Sequence, residues 1–474
     1  MKQREWLLGI VIFAAVTAGR AQPVSPQDRV YTADQISNTV SVIDPSTNRL
    51  LGHIVLGRAQ PDILSPLYRG QALVHGLGFS PDHRTLVVVS IGSNSVTFID
   101  TATNRIKGVV YIGRSPHEAF FTPDGKEVWV AVRGENYLSV IDPKRLREVR
   151  RIPVADGPGM VLFRPDGKYA FVCHSFTPEL HVVDVKRKRV VKRIPVVSPF
   201  SPNLAVSADG REVWLTHKDV GKVTVVDGFS RKVLKVLNTG PITNHVALVD
   251  LPEGKFAYVT VGGEGVVKVF RRAPDFRQVA VISVGSLPHG IWASGDHSRV
   301  YVGLENEDAV VAIDTRTRQV IARIPVGQGP MALVYVPNAV PKGFSGTENL
   351  APPLQLPTKV VNLKPFADVN GNGTIVVRAQ GLTDFVLITL KNMEPETDYA
   401  VYLSRSEKPP FSPDFLLAIV RTDKQGNGTG QALGPVLKIW SPKHPATEAP
   451  YRAIVVWKVG NEKGQPVLMA TTSQ

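Results

Sequence analysis

The sequence predicts an all-β protein: a seven-bladed β-propeller followed by a C-terminal β-sandwich-like domain. Three observations predict it. A strand-and-turn unit recurs at a nearly fixed spacing through most of the chain. Each unit holds four short apolar runs and no helical periodicity. After a Pro-rich stretch the period vanishes while strand-like runs continue.

Taken in chain order, residues 1–21 read as an export signal. Lys2 and Arg4 give a positive start, an apolar run extends from Trp6 to Ala18, and Gly19 and Ala21 are the small residues before a cleavage point. The run is short and no later stretch has spanning length, so the segment reads as cleaved and the mature chain as having no membrane span. The expected location is periplasmic or extracellular. Cys173 is the only cysteine, which excludes an intrachain disulfide and any site needing two thiolates, such as a zinc ribbon or c-type haem attachment. Beside Ala170, Phe171 and Val172 it reads as a buried small hydrophobe.

Residues 22–337 carry the repeat. One anchor is Ile43-Asp44, Ile99-Asp100, Ile141-Asp142, Val183-Asp184, Val226-Asp227 and Ile313-Asp314, with Val269-Phe270 holding the remaining place. Successive anchors lie 56, 42, 42, 43, 43 and 44 residues apart. A second anchor is the turn at Phe79-Ser80-Pro81-Asp82, Phe121-Thr122-Pro123-Asp124-Gly125 and their later copies. In one copy the four runs are residues 119–121, 127–132, 138–141 and 148–154, rich in β-branched residues and bounded by Pro, Asp, Gly and Asn. Four strands per period of roughly 40–45 residues make a propeller blade. The Asp closing each third run opens a turn whose free N–H groups its carboxylate accepts, so these acids are structural and not catalytic.

The chain enters the array at residues 30–56 with a second, third and fourth strand but no first. It leaves with a lone first strand at 331–336. That strand completes the opening blade, and seven blades result. The single 56-residue spacing holds an insertion at about residues 58–72. Insertions on one face of a repeat array often mark its binding face.

Residues 338–357 read as a Pro-rich linker and 358–474 as a small β-sandwich, with strand-like runs at 373–378, 385–390, 398–403, 416–421, 430–433 and 451–459. Asp368 through Gly373 opens like a calcium-binding EF-hand loop. Position twelve of such a loop needs a bidentate Glu and holds Ala379 here, so the stretch reads as a hairpin turn.

The repeat resembles the YVTN-repeat propeller family. Its Tyr-Val-Thr-Asn run, followed by Asn-Thr-Val-Ser-Val-Ile-Asp, stands here as Tyr31-Thr32-Ala33-Asp34 with Asn38-Thr39-Val40-Ser41-Val42-Ile43-Asp44, and Tyr258-Val259-Thr260 is a further copy of the first half. The resemblance spans about residues 30–337 and implies the propeller fold of exported bacterial or archaeal proteins. It does not imply one activity, since the family hosts sensors, binding modules and some enzymes. The family Asn is replaced in every blade, by Asp34, Ser90, Val132, His174, His217, Val261 and Leu304. In the C-terminal domain, Glu394-Pro395-Glu396-Thr397 before Tyr399-Ala400-Val401-Tyr402 resembles exported accessory β-domains. That implies adhesion or docking, with structural capping of the propeller as the alternative.

Strand direction places the start of each first strand and the end of each second strand on one face. The first set is His75, His117, Gly159, Asn203, His245, His289 and Met331. His174 and His217 hold the second position in adjacent blades. A ligand site at this channel mouth is therefore expected on His75, His117, Asn203, His245, His289 and Met331. A metal alternative uses His75, His117, His174, His217, His245 and His289, since imidazoles from several blades suffice for copper, zinc or iron without cysteine. His53, His83, His181, His297 and His444 read as turn or outer-strand residues.

The formal charge of +14 is concentrated at Lys144, Arg145, Arg147, Arg150, Arg151 and at Lys186, Arg187, Lys188, Arg189, Lys192, Arg193. Both runs fall at the same repeat position and read as a solvated rim. Together with export this makes nucleic acid an unexpected partner and leaves a protein or an anionic envelope polymer. The function expected is an exported binding or scaffold propeller that uses the face around its channel to bind a ligand or partner. A metal-dependent, copper-like oxidoreductase and a lactonase-like hydrolase are the alternatives. No Gly-rich phosphate loop or Gly-x-Ser-x-Gly motif supports other catalysis.

Overall fold

In a computed structural model, residues 23–57, 72–353, 358–366, 369–379, 384–434, 436–440, 451–462 and 464–471 are described. Residues 1–22, which include the expected export signal, nearly all of the 58–72 insertion, Asp368 and His444 lie outside them.

Strands form where β-branched residues alternate, and the third strand of every blade except blade 6 ends at its anchor acid. Tyr137–Asp142 stops at Asp142, whose carboxylate accepts the N–H groups of Lys144 and Arg145 at 2.9 and 3.0 Å. Asp227 does the same for Phe229 and Ser230 at 3.0 and 2.6 Å. Asp314 serves Arg316 and Thr317 at 3.0 and 2.7 Å. The anchor acids close turns, as their spacing predicts.

These strands make seven four-stranded antiparallel sheets among the described residues. The innermost strand is Pro330–Val336 in blade 1, Val74–Phe79 in blade 2, Pro116–Phe121 in blade 3, Pro158–Phe163 in blade 4, Leu204–Val206 in blade 5, Thr243–Leu251 in blade 6 and Pro288–Ala293 in blade 7. The ring closes by a shared sheet: Pro330–Val336 pairs with Arg29–Asp34 in the register Val30↔Tyr335, Tyr31↔Val334, Thr32↔Leu333. Asp28 seals the seam by accepting the Tyr335 hydroxyl and, at 2.7 Å, the Asn338 N–H. Apolar side chains interlock between neighbouring blades; Tyr31, Val40 and Val42 pack with Leu77, Leu86 and Val88. Cys173 is buried in such a layer, where burial pushes its thiol up to about 12.

Residues 338–353 are no free tether. Arg84 donates to the carbonyls of Asn338 and Ala339 at 2.6 and 3.0 Å, Asn104 donates to the Gly346 carbonyl at 3.0 Å, and Ala351 pairs with His53. The segment is a strap fastened along blades 1 and 2.

The C-terminal domain is one eight-stranded antiparallel sheet, in the order Phe415–Arg421, Asp398–Ser404, Ala453–Lys458, Leu468–Thr471, Thr358–Pro365, Asn372–Ala379, Asp384–Lys391, Gly428–Gly434. It curls until its two edge strands meet, a nearly closed barrel around Ile375, Val386, Ile388, Leu403 and Val456. The expected runs are present, and Thr358–Pro365 and Leu468–Thr471 are additional strands. The one described helix is a single turn, Val436–Ile439. The strands flanking the Asn-Gly stretch pair antiparallel (Leu363↔Gly373); Asp368, the first position of the calcium-loop pattern, lies outside the described residues.

The domain docks on the propeller. Arg378, wholly buried, donates through Nε to both Asp308 carboxylate oxygens at 2.9 and 3.2 Å, and its Nη2 donates to the Glu305 carbonyl. The Thr358 hydroxyl reaches Asp308 at 2.6 Å, and Lys391 Nζ reaches the Gly263 carbonyl at 3.0 Å. Gly263, Glu305 and Asp308 follow the second strands of blades 6 and 7. The domain therefore sits on the face where the first strands begin.

Candidate functional site

Four of the expected histidines converge at that face. His75 and His117 lie with ring centroids 4.3 Å apart, His245 and His289 5.0 Å apart, and His75 and His289 6.4 Å apart. All four are at least 95% buried. Burial lowers every one of these imidazoles below its ordinary value, reinforced by the neighbouring rings and cations, and brings His75 to about 3. The cluster is a set of neutral imidazoles.

Hydrogen bonds fix two of the tautomers. His117 Nδ1 donates to the Gly159 carbonyl at 2.8 Å, which leaves Nε2 as its lone-pair atom. His289 Nδ1 donates to Glu305 Oε2 at 2.9 Å. Burial alone would raise the Glu305 carboxyl. The His289 hydrogen bond and the nearby charges of Lys218 and Arg378 outweigh it and hold Glu305 at about 2, an anion. Arg133 and Lys218 follow the second strands of blades 3 and 5, as Glu305 does in blade 7. Arg133 spreads over Phe176 and Phe200, 5.7 and 5.4 Å from the ring centroids. The mouth thus pairs neutral imidazoles with two cations and one anion.

The other expected residues are placed differently. His174 donates to the Glu179 carbonyl at 2.8 Å and faces His181 at 4.5 Å; His217 is held between the Ser201 and Thr224 hydroxyls at 2.8 and 2.7 Å. Neither joins the cluster, because a second strand lies inside its sheet and projects side chains toward the neighbouring blades. Asn203 braces the wall: its amide donates to the Met160 sulfur at 3.2 Å and its carbonyl accepts the Val246 N–H at 3.1 Å. Met331 is half-buried on blade 1.

Glu118 was not expected, and it completes the cluster. It is 3% exposed, with an N–H of Leu77 as its hydrogen-bond donor, and burial raises its carboxyl well above the ordinary value. Donor atoms of His75, His117 and Glu118 lie within 4.8 Å of one another. The repeat itself carried a signal. The equivalent positions of the other blades are Gly76, Met160, Leu204, Val246, Gly290 and Ala332, so one acid stands where six blades have none. Gly76 makes room for it: a Cβ there would stand 2.1 Å from the His117 carbonyl oxygen and 2.8 Å from Glu118 Oε2.

Below the cluster the channel holds a cavity of about 420 Å³. Glu118, Asn203 and His245 line its inner end, and Leu77, Phe120, Met160 and Trp292 its walls. Trp292 stacks on Phe120 at 6.4 Å and meets Phe79 edge-on at 6.2 Å. His83 and His297, read from sequence as turn residues, border the far end. The cavity therefore runs from the cluster toward the opposite face rather than lying at the mouth.

Residues 108–338, just under half of the chain, match the family model of YNCE-like beta-propellers. Among solved structures, Kuenenia stuttgartiensis hydrazine synthase is similar at 23% identity and a TM-score of 0.51, covering 56% of this chain and 90% of its own. A functionally unknown protein from Desulfotomaculum acetoxidans DSM 771 is similar at 12% identity and a TM-score of 0.55, covering 64% of this chain and 98% of its own. Both likenesses are of fold. No curated protein matches the sequence.

Proposed function

We propose that this YVTN-type, YNCE-like propeller is an exported binding protein whose central channel takes a small, largely apolar ligand with one polar end. The observation that carries this reading is the 420 Å³ cavity, aromatic and aliphatic along its walls, with Glu118, Asn203 and His245 at the cluster end and His83, Ser294 and His297 at the other. Ligand sites of roughly 300–1,000 Å³ have this composition: apolar surface for affinity, a few polar groups for orientation. A second cleft, about 570 Å³ between the turns of blades 3 and 4, is a weaker candidate because its charges pair internally, Lys188 with Glu127 and Lys126 with Asp124. Export rests on the residues 1–21 pattern, and among the described residues no helix is long and apolar enough to cross a membrane. The C-terminal domain acts as a cap, through Arg378 and Lys391.

The test uses N-phenylnaphthylamine, a neutral apolar fluorophore, on the metal-stripped protein. Saturable one-to-one binding that quenches Trp292 is expected, and Ala205→Phe, which fills the channel wall, abolishes it. Non-saturable binding, or binding indifferent to Ala205→Phe, would falsify the reading.

A further inference from the structure

Blades 2 and 3 approach each other closely at the top of the channel because Gly76 has no side chain there. This brings His75, His117 and Glu118 to one point, with their donor atoms within 4.8 Å of one another. We propose that these three residues hold a divalent first-row transition-metal ion of the zinc class, which deepens, and rests on, the reading of the channel as a ligand pocket.

The argument starts from what each group lacks. Buried polar atoms normally find partners, and those that do not call for an explanation. His75 Nδ1 is buried without one. His117 is set as a ligand is usually set, its Nδ1–H donated to a backbone carbonyl and Nε2 left with the lone pair. Glu118 is a carboxyl deep in a channel whose equivalent positions are glycine or apolar.

Two imidazoles and one carboxylate form a donor set used for zinc and for non-haem Fe(II), and it leaves coordination positions open. On binding, the Glu118 O–H bond breaks, the proton passes to solvent and a carboxylate–metal bond forms. The site then carries one net positive charge. Glu118 also borders the channel cavity, so an open position is offered to whatever occupies it. The ligand class that fits is a small molecule with an apolar body and an anionic or lone-pair head.

The experiment titrates cobalt(II) into tag-free, chelator-stripped full-length protein, follows the visible ligand-field bands, and then displaces cobalt with zinc. One equivalent per chain is expected, with zinc raising the melting temperature by about 5 °C or more at saturation. Losing an outer partner of a ligand costs roughly 10–100-fold in metal affinity, and losing a ligand costs more. His117→Ala and Glu118→Gln should therefore bind at least about 100-fold more weakly, while His174→Ala, a buried histidine outside the cluster, binds normally. Glu118→Gln should be at least as stable as the native chain without metal, which separates a lost ligand from a misfolded variant.

Sub-stoichiometric uptake, or unchanged affinity in both His117→Ala and Glu118→Gln, would overturn the assignment. Because the fluorophore is bound without metal, the two readings fail separately. Fluorophore binding without cobalt uptake removes only the metal; cobalt uptake without fluorophore binding removes only the apolar pocket.

Discussion

Replacing Arg378 with Met tests whether the C-terminal domain is latched to the propeller or merely leans on it. Arg378 is fully buried and Asp308 nearly so, with two Nε–carboxylate contacts at 2.9 and 3.2 Å. Truncating one partner of a buried pair leaves the other charge in a poorly solvated site, at a cost of about 3–5 kcal/mol. Asp308 keeps the Gly329 N–H at 2.9 Å and the Thr358 hydroxyl at 2.6 Å, so the lower end of that range applies. Scanning calorimetry reads the result. The native chain should melt with its two domains coupled, and Arg378→Met should split off an earlier transition. Combining it with Asp308→Asn should recover part of the loss, because the uncompensated charge is gone. A variant that still melts as one transition, within about 0.5 kcal/mol of the native chain, would refute the latch.

Three further outcomes follow from the structure. Asp34 accepts hydroxyls from Thr32, Thr39 and Ser41 at 2.6, 3.0 and 2.6 Å, yet burial pushes its carboxyl up to about 7. The folded state thus holds a proton that the unfolded chain releases near its ordinary value, so this stabilisation is full at acid pH and is lost as pH rises toward neutrality. Asp34→Asn, which restores the family residue, should flatten the pH dependence. A native-minus-variant stability gap equal at pH values on either side of that range, measured by urea unfolding, would contradict the account. Gly76→Ala should cost about 1–3 kcal/mol by forcing blades 2 and 3 apart, and a denaturation midpoint like that of the native chain would show that the close approach is not needed. Asp227→Ala leaves two turn N–H groups without their acceptor and should cost about 1 kcal/mol; an unchanged midpoint would demote the anchor acids to surface residues.

Period and closure were legible because each blade repeats the same physical problem. Seven copies of the strand grammar, and an unpaired strand at each end, leave one solution. The site was legible only in part. His75, His117, His245 and His289 were found because they start innermost strands, where strand direction alone fixes the face. His174 and His217 misled, since sharing a face is not the same as pointing into the channel: their side chains are spent on Glu179, Ser201 and Thr224 within the blade walls. Glu118 is hidden because its equivalents, Gly76, Met160, Leu204, Val246, Gly290 and Ala332, carry no chemistry and no strand rule marks the position. The strands Thr358–Pro365 and Leu468–Thr471 escaped because one adjoins a Pro-rich segment and the other is four residues long. Their pairing is decided by distant partners that no local pattern reveals.

The repeat also supplies an internal control for function. Blades 4, 5 and 1 begin their inner strands with Gly159, Asn203 and Met331 and fold as the others do, so the ring does not need histidine at that position. Each buried polar atom left without a partner costs roughly 1–3 kcal/mol, and the cluster holds two of these, His75 Nδ1 and His245 Nε2. At the Glu118 position a core selected for stability alone would place Leu or Val, as blades 5 and 6 do with Leu204 and Val246. The four histidines and Glu118 stand on blades 2, 3, 6 and 7, around one end of one cavity. Three blades without histidine at that position, and six without an acid at the Glu118 position, are the internal comparison that supports the proposed site.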